Sequence, residues 1–235
     1  MLPTRMLYDF QTQTFLSDGV LSPIELVRRA VVNGYSGLAI TDHVGVGGIE
    51  PLLEHLREDC YIAQEEWGIP VFPGVELTHL PPKLITSAAQ RARDAGAAMV
   101  LVHGETPVEP VEPGTNRAAV SSPAVDILGH PGLITEEDAQ VAAENDVFLE
   151  ISARKGHSLA NGHIVSMSTA AGAQMLIDSD AHAPEDLLTE AMALTVARGS
   201  GLNEEATRIV LLDNPRRLID RLSLRWSVPS PGGSG

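Results

Sequence analysis

The chain has 235 residues, of which 43% are hydrophobic and 20% are charged, so it can form a sizeable core and is not disordered as a whole. This length fits one domain of barrel size or two small domains. Acidic residues number 31 and basic residues 16, which gives a formal net charge of −15. The balance argues against a partner that presents a phosphate backbone, such as nucleic acid, and against an anionic membrane surface.

Cellular location is constrained by three features of the sequence. A single cysteine, Cys60, excludes an intramolecular disulfide and fits a reducing compartment. No stretch of 18 apolar residues is present, so we expect no membrane span. The first residues lack the apolar segment and cleavage site of a signal peptide, and we therefore expect a cytoplasmic protein.

Residues 224–235 are rich in Gly, Ser and Pro and are predicted to be a disordered tail or a remnant of expression.

Short apolar runs alternate with helical patterns along the chain up to about residue 222. The strands are predicted at 6–14, 37–41, 70–75, 98–102, 125–128, 147–152 and 174–178. Helices are predicted at 23–33, 49–67, 84–95, 116–120 and 163–171, and from Thr135, Pro184, Asn203 and Pro215. Strict alternation favours a parallel α/β sheet, most simply a closed or nearly closed barrel in one domain over residues 1–223. An open, doubly wound sheet is the alternative.

Every predicted strand ends in a His, carboxylate or amide side chain. The most notable of these residues are Gln11, Gln13, Asp18, Asp42, His43, Glu76, His103, His130, Glu150, Asp180 and His182. Because the carboxyl ends of parallel strands meet at one edge or rim, we expect these side chains to form one cluster. Imidazole nitrogens and carboxylate oxygens are the usual ligands of zinc, iron and manganese, so the cluster predicts a site for several metal ions.

Other polar side chains are expected to serve structure or solubility. His55 is predicted to be solvated on a helix, Cys60 to lie in the core, and the Pro-rich segment with Glu109 and Glu112 to be a solvated loop. His79, His157 and His163 lie in loops, where contact with the site is open but not favoured.

At this point the motifs resemble those of the PHP (polymerase and histidinol phosphatase) domain family. Its members open with Asp-x-His-x-His-Thr and then Ser-Asp-Gly, where this chain has Asp-Phe-Gln-Thr-Gln-Thr at 9–14 and Ser-Asp-Gly at 17–19. The later motifs match at 40–43, 73–76, 103–104, 129–131 and 179–182. The resemblance spans residues 6–222 in the expected order. It implies a distorted (β/α)7 TIM-like barrel with a trinuclear metal centre that hydrolyses phosphate esters.

The resemblance also implies how the ligands divide among three ions. The first ion would take residues 11 and 13 with Glu76 and Asp180. The second would take Asp18, His43 and His182. The third would take Glu76, His103 and His130.

The departure from the family lies at positions 11 and 13, where this chain has glutamine instead of histidine. A neutral amide oxygen is a poor ligand for zinc-like ions, so the first site is expected to be weak or empty. The protein then either uses two ions for catalysis or is catalytically impaired. The paired exchange is compatible with natural drift and with deliberate inactivation.

The resulting hypothesis is a hydrolase of small phosphoesters, similar to histidinol phosphatase, that uses two to three divalent ions (Zn, Mn or Fe) to activate water. Asp180, His182 and His43 are the expected catalytic residues, and Arg154 and Lys155 are the expected contacts to substrate phosphate. The sequence leaves open the phosphoester, the metal and the oligomeric state.

Two alternatives remain. The first is a module that binds metal without catalysis. The second is an RNA-associated subunit, because residues 103–151 also resemble the RNase P protein subunit of the Rpp30 type. The apparently complete second and third ligand sets and the net charge argue against the RNA role.

Overall fold

The computed structural model describes residues 7–226. Its parallel strands are β1 (Leu7–Asp9), β2 (Tyr35–Ile40), β3 (His43–Val44), β4 (Val71–Leu77), β5 (Met99–His103), β6 (Ile127–Gly129), β7 (Phe148–Ser152) and β8 (Met175–Asp178). Apart from the two-residue β3, which pairs only with β4, they follow one another in chain order around the sheet. Just past the ends of β1 and β8, the backbone amide of Gln13 donates to the Ala181 oxygen (2.8 Å), and this contact nearly closes a seven-stranded barrel. The predicted barrel is therefore confirmed, and the open sheet is wrong.

Nine α-helices surround the barrel or cover one of its ends within the described residues. They are α1 (Pro23–Val32), α2 (Ile49–Trp67), α3 (Pro82–Asp94), α4 (Thr115–Val120), α5 (Glu136–Glu144), α6 (Asn161–Ala171), α7 (Glu190–Gly199), α8 (Glu204–Arg208) and α9 (Asn214–Ser223). Side-chain caps fix two predicted starts, since Ser22 Oγ accepts the Glu25 amide and Thr135 Oγ1 accepts the Asp138 amide. Among residues 7–226, no helix is long and apolar enough to cross a membrane.

The barrel interior is apolar at the end where the strands begin. Phe10, Phe72 and Phe148 pack there against Leu218 and Leu222 of α9, and all five side chains are buried. Helix α9 thus closes this end of the barrel. The polar side chains are left to the opposite end, where the strands finish.

A buried ion cluster ties α9 to the same closed end. Asp126, just before β6, is 1% exposed, and its carboxylate pairs with Arg93, Arg221 and Arg225. Asp126 Oδ2 also accepts the Val100 amide (3.0 Å). One carboxylate therefore links α3, α9 and the starts of two strands.

The first strand is shorter than the predicted range 6–14, of which Met6 lies outside the described residues. Beyond Asp9 the backbone leaves the regular ladder, because side chains accept its amides. Asp178 Oδ1 accepts the Phe10 amide (2.6 Å), and Asp42 Oδ1 accepts the Thr14 amide (2.7 Å). Periodicity in the sequence does not reveal such long-range partners.

The predicted tail begins too early at residue 224. Arg225 pairs with Asp126, and Trp226 packs against the core, so both belong to the folded barrel. The rest of the predicted tail, residues 227–235, lies outside the described residues.

Candidate metal centre

Glu76 lies at the centre of the polar end of the barrel. This residue near the end of β4 is fully buried, and its Oε1 lies 2.8 Å from His103 Nδ1 and 3.7 Å from His130 Nε2. Its Oε2 lies 3.2 Å from His43 Nε2. The strands thus bring side chains from three separate segments to one carboxylate.

Beside this centre, Asp18, His43 and His182 offer a carboxylate oxygen and two ring nitrogens within 4.8 Å of one another. Asp18 Oδ1 lies 3.2 Å from His182 Nε2 and 4.0 Å from His43 Nδ1. Asp42 shapes the loop that carries Asp18, because its Oδ1 accepts hydrogen bonds from the Thr14 amide and the Ser17 hydroxyl. A donor set of one carboxylate and two imidazoles fits a divalent ion such as zinc.

The first ligand set implied by the resemblance does not fit an ion. Gln11 Nε2 and Gln13 Nε2 both donate to Glu76 Oε2, at 2.8 and 2.9 Å. The two amides therefore present N–H groups to the oxygen that an ion would need. Their own Oε1 atoms have no hydrogen-bond partner among the described residues.

In the third set the two imidazoles lie at different distances from Glu76 Oε1, 2.8 Å for His103 and 3.7 Å for His130. His103 lies between two carboxylates, with Nδ1 2.8 Å from Glu76 Oε1 and Nε2 3.1 Å from Glu109 Oε2. His130 lies farther from Glu76, and its backbone has a φ of 26°, a conformation that is uncommon outside glycine. The buried carboxylate of Glu150 accepts the His130 amide and supports this conformation.

Two residues expected outside the site are part of it. Glu109, predicted to be solvated, is within 3.4 Å of the rings of His79, His103 and His157. His157, for which contact was not favoured, is 4% exposed and lies 3.6 Å from Asp180 Oδ2. Both lie in segments that follow strands at the polar end, where barrel proteins carry functional residues, but the contacts of their side chains depend on how these segments fold.

The remaining polar residues lie outside the centre, and His163 is part of α6, not of a loop. His55 and Glu112 are exposed, Cys60 is buried in the core, and His163 Nε2 is bonded to the Ile134 oxygen (2.8 Å).

Arg154 lies at the edge of the centre and contacts its last motif. Its Nη1 donates to the Asp180 backbone oxygen (2.9 Å) and lies 2.7 Å from His182 Nδ1, and its Nε is 3.6 Å from Asp180 Oδ2. The Arg154 side chain is still one-third exposed, and the neighbouring Lys155 is exposed. Both cations are therefore accessible to a ligand.

Charge and burial shift the pKa values of these groups in opposite directions. Burial alone would lower the pKa of His103, but hydrogen bonds to Glu109 and Glu76 outweigh it and raise the pKa to about 10. Burial and the neighbouring His130 lower the pKa of His157 to about 3. Burial and the nearby Glu76 raise the pKa of Asp180 well above its usual range. Perturbed pKa values of this kind are typical of functional sites.

Two loops at the polar end are held together by a very close backbone approach. Gly132, after β6, has a φ of +61°, and a Cβ there would lie 2.0 Å from the Glu105 oxygen. Asn116 Nδ2 joins the same loops by donating to the Pro131 oxygen (2.8 Å). These loops carry His130 and Glu109, so their contact positions both side chains.

We expect Gly132→Ala to destabilise the fold more than Gly34→Ala, as measured by urea unfolding. Gly34 also has a positive φ, but a Cβ there meets no atom within 4 Å. The control therefore reports backbone strain alone, about 1–2 kcal/mol. Overlap at Gly132 should add about 1–3 kcal/mol. Equal losses in the two variants would contradict the close approach.

Known proteins align with this chain over most of its length. No family model matches. The uncharacterized protein MJ1295 of Methanocaldococcus jannaschii is 46% identical over 222 residues, covering 92% of this chain and all of the relative. Ribonuclease P protein component 3 of Methanosarcina mazei is 27% identical over 241 aligned positions, covering 96% of this chain and 91% of the relative. A probable phosphatase, TTE1963 of Caldanaerobacter subterraneus, is 27% identical and covers 76% of this chain and 77% of its own length.

Solved structures share the fold at low sequence identity. One is from the structures of YwqE from Bacillus subtilis and CpsB from Streptococcus pneumoniae, described as metal-dependent tyrosine phosphatases. It aligns with a TM-score of 0.59 at 17% identity and covers 96% of this chain and 99% of its own. A two-domain protein of Bacteroides vulgatus is described as containing a predicted PHP-like metal-dependent phosphoesterase. It aligns with a TM-score of 0.51 at 15% identity, and the alignment covers 93% of this chain and 69% of that protein.

Proposed function

We propose that this chain, which belongs to the same family as the uncharacterized protein MJ1295, carries out metal-dependent hydrolysis of a small phosphoester. The proposal rests on the candidate metal centre. The observation that carries the proposal is the convergence of Asp18, His43 and His182 beside Glu76 at the carboxyl ends of the strands. Metal-dependent phosphatases among the structural neighbours and a probable phosphatase among the relatives support the same class of reaction. The specific chemistry we favour is similar to that of histidinol phosphatase.

The second ligand set, Asp18, His43 and His182, would hold one divalent ion. The resemblance places another near Glu76, His103 and His130. Bound ions of Zn, Mn or Fe supply a water of lowered pKa and neutralise charge on the phosphoryl oxygens. We propose Asp180, His182 and His43 as the catalytic residues. In this assignment the fully buried Glu76 orients the imidazoles around it.

Substrate phosphate would bind beside Arg154 and Lys155. Both line a cleft of about 630 Å³, together with Ser179, Glu185 and Met192, a volume that fits a small molecule. Because Arg154 Nη1 already contacts the Asp180 backbone oxygen and His182 Nδ1, its Nη2 is the group that would donate to phosphate. Lys155 adds a second positive charge to the same cleft. The bound ions and these two cations make this end of the barrel attractive to an anion, although the whole chain is acidic.

A second candidate function is an RNA-associated role, as in ribonuclease P. The observation in its favour is the match to component 3 of that enzyme over nearly the whole chain. A net charge of −15 opposes it, because RNA binding relies on basic side chains. Tight RNA binding that weakens steeply with salt would favour this role over the hydrolase.

The test is turnover of p-nitrophenyl phosphate by protein loaded with Zn, Mn or Fe, together with metal analysis. We expect chelation to abolish turnover and His43→Gln to lower it about 100-fold or more. His55→Gln is the matched control, since His55 is exposed and lies outside the centre. Bound metal with no turnover on a broad panel of phosphoesters would refute the hydrolase and favour a module that binds metal without catalysis.

A further inference from the structure

His157 lies against the metal centre, although none of the motifs includes it. The side chain is buried, and its Nδ1 lies 2.6 Å from the Thr106 hydroxyl. The opposite ring nitrogen, Nε2, faces the centre and lies 3.4 Å from Glu109 Oε1 and 3.6 Å from Asp180 Oδ2. A ring nitrogen that donates to a hydroxyl leaves the other nitrogen with a free lone pair, which is how metal-binding histidines are oriented.

His130 presents its own Nε2 to the same carboxylate. The rings of His130 and His157 are stacked, with centroids 4.1 Å apart and planes within 17° of parallel. His130 Nε2 lies 3.9 Å from Asp180 Oδ2 and 3.3 Å from Gln11 Nε2, so an ion here would displace the Gln11 amide from this nitrogen. One ligand atom from each of these three residues lies within 4.8 Å of the other two, and all three side chains are buried.

Asp180 is free to take part because the first ligand set is not assembled. The glutamine amides occupy Glu76 Oε2, and Asp180 does not contact them through a hydrogen bond. Asp180 Oδ1 is buried and has no hydrogen-bond partner among the described residues. Arg154 Nε (3.6 Å) and His182 Nδ1 (3.5 Å) lie near this carboxylate without hydrogen-bonding to it, and a cation between Asp180 and the two imidazoles would offset the remaining cost of its burial.

We propose that His130, His157 and Asp180 form a divalent-metal site, and that the ion on the His130 side of the centre is bound there instead of at Glu76 and His103. His103 already has a carboxylate at each ring nitrogen, Glu76 at Nδ1 and Glu109 at Nε2. His130 Nε2 can serve only one ion, so the two arrangements exclude each other. The proposal deepens the proposed function, because it names the ligands of one of its ions.

The test measures bound zinc after equilibrium dialysis of the full chain against Zn²⁺, with far-ultraviolet circular dichroism to verify folding. We expect about two ions in the unmodified protein and about one in His157→Gln. His103→Gln should keep both ions, and His55→Gln is the control for loss of an exposed imidazole. Thr106→Val leaves every ligand in place and should weaken zinc binding about 10–100-fold, because it removes the group that orients His157.

The opposite pattern would overturn the site. If His157→Gln is folded and keeps both ions at unchanged affinity while His103→Gln loses one, the ion lies at Glu76. Failure of the proposed function gives a different result, in which zinc is lost from His157→Gln as expected but the unmodified protein hydrolyses no phosphoester.

Discussion

Replacing Gln11 and Gln13 together by histidine is expected to create the first ion site and to raise phosphoester turnover about 100-fold or more, since an added Lewis acid contributes several kcal/mol and each 1.36 kcal/mol is tenfold in rate. At present both side chains donate N–H groups to Glu76 Oε2. Imidazoles at these positions would offer lone pairs instead, and Asp180 Oδ1 lacks a hydrogen-bond partner among the described residues. Metal content and turnover of p-nitrophenyl phosphate, measured on the same samples, provide the readout.

The single variants and an unrelated exchange serve as controls. Gln11→His or Gln13→His alone should bind the added ion weakly, because each supplies only half of the missing pair. Gln140→His, on the exposed face of α5, should change neither quantity. An added ion without a gain in turnover would show that the glutamines do not limit the reaction.

Asp126→Ala is expected to destabilise the fold by about 3–5 kcal/mol, as is typical when one partner of a buried ion cluster is removed. The substitution would leave the partly buried guanidinium groups of Arg93, Arg221 and Arg225 facing one another. It would also leave the Val100 amide without its acceptor. Urea unfolding gives the free-energy change. Glu25→Ala is the comparison, because its exposed pair with Arg29 should contribute only about 0.3–0.5 kcal/mol.

The same cluster predicts a loss of stability in acid. Burial raises the pKa of Asp126, but Arg93, Arg225 and Arg221 outweigh burial and hold the pKa below 3.8. A lowered carboxyl pKa stabilises the fold above pH 3.8, and this contribution disappears as the pH falls through the folded-state value. The unmodified protein and Asp126→Asn should therefore converge in stability as the pH drops below 3.8. A constant difference down to pH 2 would contradict this assignment.

The sequence predicts most of the barrel because its information is local. Alternating apolar runs and caps such as Ser22 define the elements, and parallel strands then bring their polar ends together. The position of Glu109 cannot be predicted from local patterns, because it depends on how a Pro-rich loop folds back over His103. His157 likewise needs Thr106, which is 51 residues away, to fix its ring. Asp126 pairs with Arg225, which is 99 positions away, and such a pair leaves no periodic pattern.

Helix α9 closes one end of the barrel, so the contacts that stabilise the fold there lie apart from the candidate metal centre at the other end. Leu218 and Leu222 fill the closed end, and Arg221 and Arg225 tie it to Asp126. The loops that carry Glu109 and His157 lie at the other end and share none of these contacts. Substitutions there that leave the Glu105–Gly132 contact intact can therefore change the preferred ligand while the closed end keeps its stabilising contacts. A directed-evolution library confined to the loops after β5 and β7 would exploit that independence.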